Sequence, residues 1–356
     1  MKKLLLFLIL VLLAFSLVAC GGETPETPDT PEIPGGETPD TPEEPDEPSC
    51  EHEFVEIART EARALQDGVI ISKCNLCNEE KTEVHTPMTR ELKILAIGNS
   101  FSNDATGYLW DICHSAGVEK LIIGHAYVGG CPIDLHGSYI LNKNAVYKYY
   151  KYEKSSTPTV KDNVKIDVAL LDEDWDYISL QTLSEYTTPA KFSLLTHILD
   201  YLDNKCPDAE IYWHMTWSFR EDCQYNGFAL HNYDQMALYN AILNVVSDII
   251  TPTGRFDGII PTGTSMQNLR TSYIGDNVTR EDGYHADLGV GRYTLGLTWY
   301  AIFTGGSLDL VDFIPTNEHK TAIANNMEVM RESVENALAK PYEITQSKFT
   351  EAPAGK

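Results

Sequence analysis

Short apolar runs alternate with longer amphipathic segments from Glu91 to about Tyr342. The apolar runs predict strands at 92–97, 120–128, 177–180, 209–215 and 257–260. Apolar residues at helical spacing predict helices at 105–116, 189–205, 234–250, 290–304 and 317–338. Strands and helices that alternate in this way form a parallel sheet with helices on both faces. The pattern therefore predicts one three-layer α/β/α domain over residues 91–342, with a polar excursion at 137–162 and a flexible tail at 343–356.

The chain begins with an apolar segment outside this domain. Lys2 and Lys3 precede Leu4–Val18, and the segment ends in Leu17-Val18-Ala19-Cys20. A basic start and a short apolar stretch are typical of an export signal, and the stretch is short for a membrane span. Its end resembles the bacterial lipobox. We therefore expect a signal peptide at 1–20 and a lipidated Cys20 that anchors the protein in the bacterial cell membrane, facing outside the cytoplasm. An ordinary secretory signal or an uncleaved anchor is the alternative.

Residues 21–49 are polar and rich in proline. They hold eight of the eighteen prolines and ten acidic residues, with no lysine or arginine. Such a segment cannot bury apolar surface, which predicts a disordered surface spacer. Without these ten acids and the two lysines of the leader, the net charge of −25 becomes −17. An acidic protein has no general attraction to nucleic acid. We therefore expect a neutral or cationic substrate and no nucleic-acid partner.

Residues 50–90 contain two closely spaced pairs of potential metal ligands. Cys50 and His52 form a C-x-H pair, and Cys74 and Cys77 form a C-x-x-C pair. Four thiolate or imidazole ligands on two short turns suit tetrahedral zinc, which would stabilise a piece too small to have a core. The segment resembles small zinc-ribbon-like modules, and His85 is a spare candidate ligand. Such a zinc would be structural, because four protein ligands leave no position for substrate. A disulfide is the alternative in an exported protein.

The first predicted strand of the large domain leads into a polar turn. Gly98 ends the apolar run, and Asn99-Ser100-Phe101-Ser102-Asn103 precede a predicted helix. In an α/β domain this turn lies at the carboxyl end of a strand, where crevices form. A serine there, near the positive end of the next helix, suits a nucleophile whose attack creates an oxyanion. The alternative is that Ser100 or Ser102 is only an N-cap.

A second candidate segment, Asp282-Gly283-Tyr284-His285, precedes a late predicted helix. In a serine hydrolase, a histidine takes the serine proton and a carboxylate orients the imidazole. D-x-x-H can present both side chains to one point. An ordinary polar loop is the alternative, and a further alternative makes Asp282 and His285 metal ligands of a different hydrolase.

Taken together, these blocks resemble the SGNH (GDSL-type) hydrolase superfamily. More closely, ILAIGNSFS, LQTLS at 180–184 and DGYHADLGVGRYTLGLTWYAIFTG at 282–305 resemble the SGNH-like domain of unknown function 4886. The resemblance spans most of Leu92–Gly305. It implies that Ser100 is the nucleophile, that His285 is the general base and acid, and that Asp282 is the orienting carboxylate. It also implies that the N–H groups of Ser100 and of Gly130, or Gly129, bind the oxyanion.

One block departs from the superfamily pattern. Where the superfamily carries G-x-N-D, whose asparagine is an oxyanion donor, this chain has Tyr177-Ile178-Ser179-Leu180-Gln181. The Gln181 amide can donate, but its side chain is one methylene longer. A misplaced donor would cost about a hundredfold or more in rate. Gln181 is therefore either the third oxyanion donor or a buried amide bonded to local backbone.

Several other residues carry weaker expectations. Ser102 is an alternative nucleophile. Trp213, His214 and Trp217 lie near the end of the fourth predicted strand, where they either pack in the core or offer flat faces to a sugar. His214 and His231 have no partner at a telling spacing. Cys113, Cys131, Cys206 and Cys223 show no metal spacing, and the sequence does not assign disulfides among them.

These observations predict a surface-tethered serine esterase. We expect it to remove acyl groups, acetyl above all, from a polysaccharide or glycan, without a catalytic cofactor. The tether and the resemblance motivate this expectation, and no residue identifies the sugar. The alternative is a glycan-binding protein on the same fold that no longer hydrolyses its ligand.

Overall fold

A computed structural model describes residues 50–352. The predictions of a signal peptide, a lipidated Cys20 and a disordered spacer lie outside these residues. The strands are β1 Phe54–Thr60, β2 Gly68–Cys74, β3 Glu80–Thr86, β4 Glu91–Gly98, β5 Lys120–Tyr127, β6 Tyr147–Tyr152, β7 Thr159–Val164, β8 Tyr177–Leu180, β9 Glu210–His214 and β10 Gly258–Ile260. The helices are α1 Ser100–Thr106, α2 Leu109–Ser115, α3 Ile133–Leu141, α4 Ile166–Leu170, α5 Leu195–Lys205, α6 Gln235–Val245, α7 Thr262–Arg270, α8 Val290–Thr304 and α9 Lys320–Ala339. None of the helices within residues 50–352 combines the length and apolarity that crossing a bilayer requires.

The described chain divides into two compact units. The smaller unit contains the chain up to Ala58 together with Ile71–Thr82, and the larger contains Arg59–Ile70 and everything from Glu83 onward. This division differs from the predicted boundary at residue 90. Residues 59–70 group with the larger unit because Leu65 donates its N–H to Thr304 O at 2.9 Å and Ala64 is 3% exposed.

The larger unit is organised around a seven-stranded sheet in the order β10-β9-β8-β4-β5-β6-β7. The five strands from β10 to β5 are parallel, as predicted, whereas β6 and β7 are antiparallel. The polar excursion predicted at 137–162 includes most of an edge hairpin, whose two strands the sequence pattern did not predict. Tyr147 and Tyr149 are buried, and the residues that alternate with them are more exposed. This period of two in YKYYKY is the missed strand signal.

The connection after β4 and the connection after β8 run in opposite directions along the sheet. The chain runs from β4 through α1 and α2 to β5, and from β8 through α5 to β9 on the opposite side of β4. Right-handed crossovers in opposite directions place their helices on opposite faces of the sheet. The contacts agree, since α1 and α2 pack on α8 and α3 packs on α5. The predicted three-layer α/β/α class is confirmed, and a crevice is expected where β4 and β8 end.

The helices differ from the predictions mainly at their ends. The predicted helix at 105–116 is two helices, α1 and α2, separated at Gly107 and Tyr108. The first turn of the helix predicted at 189–205 is a 3-10 turn, Pro189–Phe192. α8 has its predicted bounds. Its apolar residues lie almost all round the helix, and twelve of its fifteen residues are buried. The pattern missed α3, α4 and α7.

The prediction of a flexible tail is wrong over residues 343–352. Thr345 N–H donates to Asn268 Oδ1 at 2.7 Å, and Phe349 O accepts from Tyr273 N–H at 2.9 Å. Ser347 is 7% exposed. Backbone groups of this segment are thus paired with α7 and the residues after it, a long-range pairing that composition does not reveal.

Candidate active site

Ser100 is the first residue of α1 and directly follows the turn after β4. Asn99 is the N-cap of this helix, because its Oδ1 accepts the N–H of Phe101 at 3.0 Å. The interpretation of Ser100 or Ser102 as the N-cap is therefore wrong. The Asn99 amide also donates to Cys131 O at 3.0 Å, which ties the turn after β5 to the turn that carries Ser100. Asn99 thus caps α1 in place of a serine and joins the turn of Ser100 to the turn that carries Gly130.

The segment Asp282–His285 folds into a tight turn before α8. Asp282 Oδ1 accepts the N–H groups of Tyr284 and His285 at 3.1 and 3.0 Å. Gly283 has φ +80°, a conformation that favours glycine, and a Cβ there would lie 2.7 Å from Cys223. The turn therefore leaves the second carboxylate oxygen of Asp282 for the imidazole of His285.

Ser100, His285 and Asp282 form a continuous hydrogen-bonded chain. His285 Nδ1 lies 2.8 Å from Asp282 Oδ2, and His285 Nε2 lies 2.8 Å from Ser100 Oγ. A carboxylate can only accept, so Nδ1–H donates to Asp282 and Nε2 is left to accept the serine proton. Burial raises the pKa of Asp282, but hydrogen bonds from His285 and the turn outweigh it and hold the pKa below its ordinary value. The carboxylate is therefore ionised and fixes the tautomer.

A buried carboxylate that the sequence analysis did not single out holds the histidine turn in place. Asp104, on α1, is 1% exposed. Its Oδ2 accepts Ala286 N–H at 3.0 Å, and its Oδ1 accepts from Arg280 Nη2 at 2.6 Å and from Arg292. The residue next to His285 is thus tied to the helix that begins with Ser100. The available signal was an acid one helical turn after the serine and two arginines flanking D-x-x-H.

Two backbone N–H groups are candidates for the oxyanion site. Ser100 opens α1, so its N–H has no acceptor within the helix. Gly130, with φ +60°, lines the same cavity as Ser100. Gln181 is fully buried against Gly98, and it is not among the residues lining the cavity. Neither polar atom of its amide has a hydrogen-bond partner within the described chain, so the expected bond to local backbone is not formed.

A cavity of about 320 Å³ opens beside Ser100 and His285. Most of its other walls are aromatic or apolar, and one is a carboxylate. The remaining lining residues are Phe101, Tyr127, Gly130, Leu183, Glu185, Phe219, Tyr225 and Tyr284. Phe101, Gly130, Leu183 and Tyr284 belong to or adjoin the motifs of the sequence, whereas the other four lie outside them. The volume is near the lower end of the range for small-molecule sites.

The other weighed residues lie away from this cavity. Ser102 is buried and does not line it. Trp213 packs against Phe192 and Phe256, and Trp217 packs against Phe101 at 4.8 Å, so both tryptophans belong to the core. His214 is fully buried and bonds Thr262 Oγ1 at 2.9 Å, and burial lowers its pKa to about 3. His231 contacts the backbone oxygen of Glu185 at 3.4 Å.

The four predicted metal ligands of the smaller unit converge. One atom from each of Cys50, His52, Cys74 and Cys77 lies within 4.8 Å of all the others. The Cys50 and Cys74 sulfurs are 3.8 Å apart, and Cys77 Sγ is 3.4 Å from His52 Nδ1. Tetrahedral zinc with Zn–S of about 2.3 Å and Zn–N of about 2.0 Å separates its ligands by roughly 3.8 and 3.5 Å. The residues therefore fit zinc.

None of the seven cysteines within residues 50–352 forms a disulfide. The alternative of a disulfide among Cys50, Cys74 and Cys77 is therefore not seen in the structure. Cys113, Cys131, Cys206 and Cys223 are likewise unpaired. His85 bonds Thr60 O at 3.0 Å and stays outside the four-ligand group. In the described chain that group is the single set of three or more clustered ligands, so Asp282 and His285 lack a third.

A family model described as "Domain of unknown function (DUF4886)" matches residues 93–330. The crystal structure of a DUF4886 family protein from Bacteroides uniformis is 32% identical, with a TM-score of 0.68 over 73% of this chain and 100% of that one. No curated protein matches the chain.

Two further structures show a weaker likeness. One is provisionally described as an SGNH hydrolase from Slackia heliotrinireducens, at 16% identity and TM-score 0.40 over 61% of this chain and 100% of that one. The other is provisionally described as a GDSL-like lipase from Parabacteroides merdae, at 13% identity and TM-score 0.40 over 61% and 99%. Similarity at this level says nothing about activity.

Proposed function

The chain belongs to the DUF4886 family, and we propose that it is a serine esterase that uses Ser100, His285 and Asp282. The observation that carries this proposal is the pair of 2.8 Å contacts that link Ser100 Oγ to His285 and His285 to Asp282. Hydrogen-bond distances of this size are what general-base activation of a serine requires. Ser100 and His285 lie on the wall of a cavity that a small ester can enter.

The chemistry follows from the proton positions. Ser100 Oγ attacks the ester carbonyl while its proton moves to His285 Nε2, and Asp282 stabilises the imidazolium that forms. The N–H groups of Ser100 and Gly130 donate to the oxyanion of the tetrahedral intermediate. Collapse of the intermediate transfers the proton from His285 to the leaving alcohol and leaves an acyl-serine. Water then gives a proton to His285 Nε2 and attacks the acyl carbon, which forms a second tetrahedral intermediate. This intermediate collapses by breaking the bond to Ser100 Oγ, His285 returns the proton to Oγ, and the carboxylic acid leaves.

We propose acylated glycans as the substrate class and acetyl as the acyl group. The small cavity with aromatic walls supports a short acyl chain on a sugar ring, and the predicted surface tether places the enzyme where glycans are found. A glycan-binding protein without hydrolytic activity is the outcome that would displace this proposal.

The test uses the purified full chain in detergent with p-nitrophenyl acetate. Wild type should hydrolyse the ester and label with a fluorophosphonate probe at Ser100, whereas Ser100→Ala should do neither. Ser102→Ala is the matched control, since Ser102 is buried outside the cavity, and it should retain labelling. Equal, background rates for wild type and Ser100→Ala would remove the esterase proposal. Glycan binding without labelling would favour the binding protein.

We also propose that Cys50, His52, Cys74 and Cys77 bind a structural zinc ion. The ligand separations fit tetrahedral coordination, and two outer contacts support it. His52 presents Nδ1 to the cluster while its Nε2 lies 3.3 Å from Glu79, and Leu76 N–H donates to Cys74 Sγ at 3.4 Å. A carboxylate on the second imidazole nitrogen is a common way to orient a metal-binding histidine. The zinc would stabilise the smaller unit and take no part in ester hydrolysis.

Metal analysis tests the zinc proposal. The full chain should carry about one zinc per molecule, and Cys77→Ser should lose it, whereas Cys206→Ser should keep it. Loss of zinc should lower the first melting transition of the chain. A purified chain without zinc, two mass units lighter than its reduced form, would instead indicate a disulfide.

A lipid anchor at Cys20 is proposed from the lipobox-like leader. When the protein is produced in bacteria with a labelled fatty acid, wild type should incorporate the label and Cys20→Ala should not. A wild type without label would contradict the lipid anchor.

A further inference from the structure

Glu185 lies on the wall of the cavity that also holds Ser100 and His285, and the proposed chemistry does not use it. It follows β8 by five residues and is 4% exposed. The Tyr225 hydroxyl and the backbone N–H of Glu185 itself lie near its carboxylate, and each lowers the carboxyl pKa by less than burial raises it. Within residues 50–352, no lysine, arginine or histidine side chain forms an ion pair with it. A buried carboxylate without a cationic partner is uncommon unless another group satisfies it.

The surrounding backbone holds this side chain against the cavity. Ser184 Oγ bonds both Trp217 O at 2.8 Å and Thr216 Oγ1 at 2.9 Å, which fixes the segment just before Glu185. On the other side, a Cβ on Gly227 would lie 2.8 Å from Glu185 Cγ, so the 3-10 turn at 226–231 packs closely on it. The Glu185 side chain is therefore held in the cavity wall by its neighbours.

The rest of the wall defines what this carboxylate can bind. Phe101, Tyr127, Phe219, Tyr225 and Tyr284 line the cavity and make its wall largely aromatic. Burial raises the pKa of Glu185, which reflects the cost of an unpaired charge in these surroundings. A ligand that donates hydrogen bonds offsets this cost, whereas an anionic ligand increases it. Sugar rings combine apolar faces for aromatic contact with hydroxyl donors at their edges.

We infer that Glu185 is the specificity residue for the alcohol part of the ester: it accepts hydrogen bonds from free hydroxyls of a neutral, partly acylated sugar ring. This inference rests on the proposed esterase function. It implies that fully acylated sugars, which have no free hydroxyl, and acidic sugars are poorer substrates than mono-acylated neutral ones. The cavity of about 320 Å³ accommodates one ring with a short acyl chain.

Paired substrates and paired variants test the inference. kcat/KM is measured for mono-O-acetylated methyl hexopyranosides, their peracetylated forms, acetylcholine and p-nitrophenyl acetate. Glu185→Leu removes the acceptor, and Glu185→Gln keeps one acceptor oxygen without charge. Relative to p-nitrophenyl acetate, Glu185→Leu should lower kcat/KM for the mono-acetylated sugars by about ten- to a hundredfold. Glu185→Gln should lower it less, and the peracetylated sugars should change little in either variant.

Glu318→Gln serves as the matched control, because its side chain is 78% exposed at the surface, and it should keep all substrate ratios. A parallel loss for all esters, or no loss for the mono-acetylated sugars, would overturn the assignment. A wild-type preference for acetylcholine that Glu185→Gln and Glu185→Leu abolish equally would show a cation site and would also overturn the assignment.

A binding measurement separates this inference from the esterase proposal. In the Ser100→Ala background, calorimetry with a mono-acetylated sugar should show binding that Glu185→Leu weakens by at least about tenfold. If wild type shows this binding pattern but no hydrolysis, the esterase proposal is wrong and the role of Glu185 in binding the sugar remains. If the sugar binds with equal affinity with and without Glu185→Leu, the proposed role of Glu185 is wrong, whatever the hydrolysis rates are.

Discussion

Replacing Asp104 tests whether the histidine turn depends on its link to α1. Asp104→Asn keeps the shape of the side chain but removes the charge that faces Arg280 and Arg292, and it puts an amide donor where acceptors are needed. Removing one partner of a buried ion pair costs about 3–5 kcal/mol. The side chains of Arg280 and Arg292 are 36% and 19% exposed, so they regain water and the cost is smaller. We expect a loss of about 2–3 kcal/mol in the free energy of unfolding.

The same change should also reduce activity. Asparagine keeps one acceptor oxygen for the three groups that Asp104 accepts from, so the bond to Ala286 N–H, next to His285, competes with the two arginines. A displacement of about 1 Å of a catalytic group costs on the order of a hundredfold in rate. We therefore expect kcat for p-nitrophenyl acetate to fall by about a hundredfold with little change in KM, because the cavity walls remain.

The assay combines urea unfolding with ester hydrolysis well below the midpoint of unfolding. Asp172→Asn is the matched control, since Asp172 also accepts from Lys151 at 2.9 Å and from Tyr149 at 3.0 Å but lies outside the cavity lining. It should lose stability and keep its kcat. If Asp104→Asn loses stability but matches Asp172→Asn in kcat, the link between Asp104 and His285 has no catalytic role. If it loses neither, the energetic reasoning is also wrong.

Three further changes probe the neighbouring groups. Asp282→Asn should lower kcat by about 10³–10⁴-fold, because an amide no longer fixes the tautomer of His285. Since the pKa of Asp282 is held below its ordinary value of about 3.9, its ionised form stabilises the fold above that pH, and the benefit disappears as pH falls through the lowered pKa. The difference in urea midpoint between wild type and Asp282→Asn should therefore shrink from pH 6 to pH 3, and a difference that grows would contradict the assignment. Gly130→Ala should cost about 1–2 kcal/mol in unfolding because φ is +60° there; it should reduce kcat more than KM, and an increase in stability would be inconsistent with this. Gln181→Leu should change kcat by less than about tenfold, because the amide lies outside the cavity lining; a hundredfold loss would restore Gln181 as an oxyanion donor.

The elements of the fold that have a local signature were predictable from the sequence. β8 and α8 have their predicted bounds, because apolar residues dominate each of them and a polar residue or a glycine flanks each end. The hairpin at β6 and β7 was missed, since its tyrosines alternate with lysines and the stretch resembles a polar loop. The tail at 343–352 was missed because its hydrogen bonds are made to residues about 75 positions away.

In the candidate site, too, the local motifs were predictable and the contacts between distant residues were not. Ser100, Asp282 and His285 were named from short motifs, each of which is a turn next to a strand or helix with its own local signature. The structure brings them to hydrogen-bond distance, which no pattern of neighbouring residues could predict, since Ser100 and His285 are 185 positions apart. Asn99 was passed over as a cap because a serine was expected there, and the tie it makes to Cys131 spans 32 positions.

By itself, the sequence determined the five parallel strands and their alternation with helices, the four-ligand spacing and the residue types at the two catalytic turns. Only the tertiary structure decided that Asp104 binds the histidine turn across 176 to 188 positions and that Glu185 enters the cavity of Ser100. The physical reason is that hydrophobic period and turn chemistry depend on neighbouring residues, whereas burial and charge pairing depend on which distant segments the folded sheet brings together.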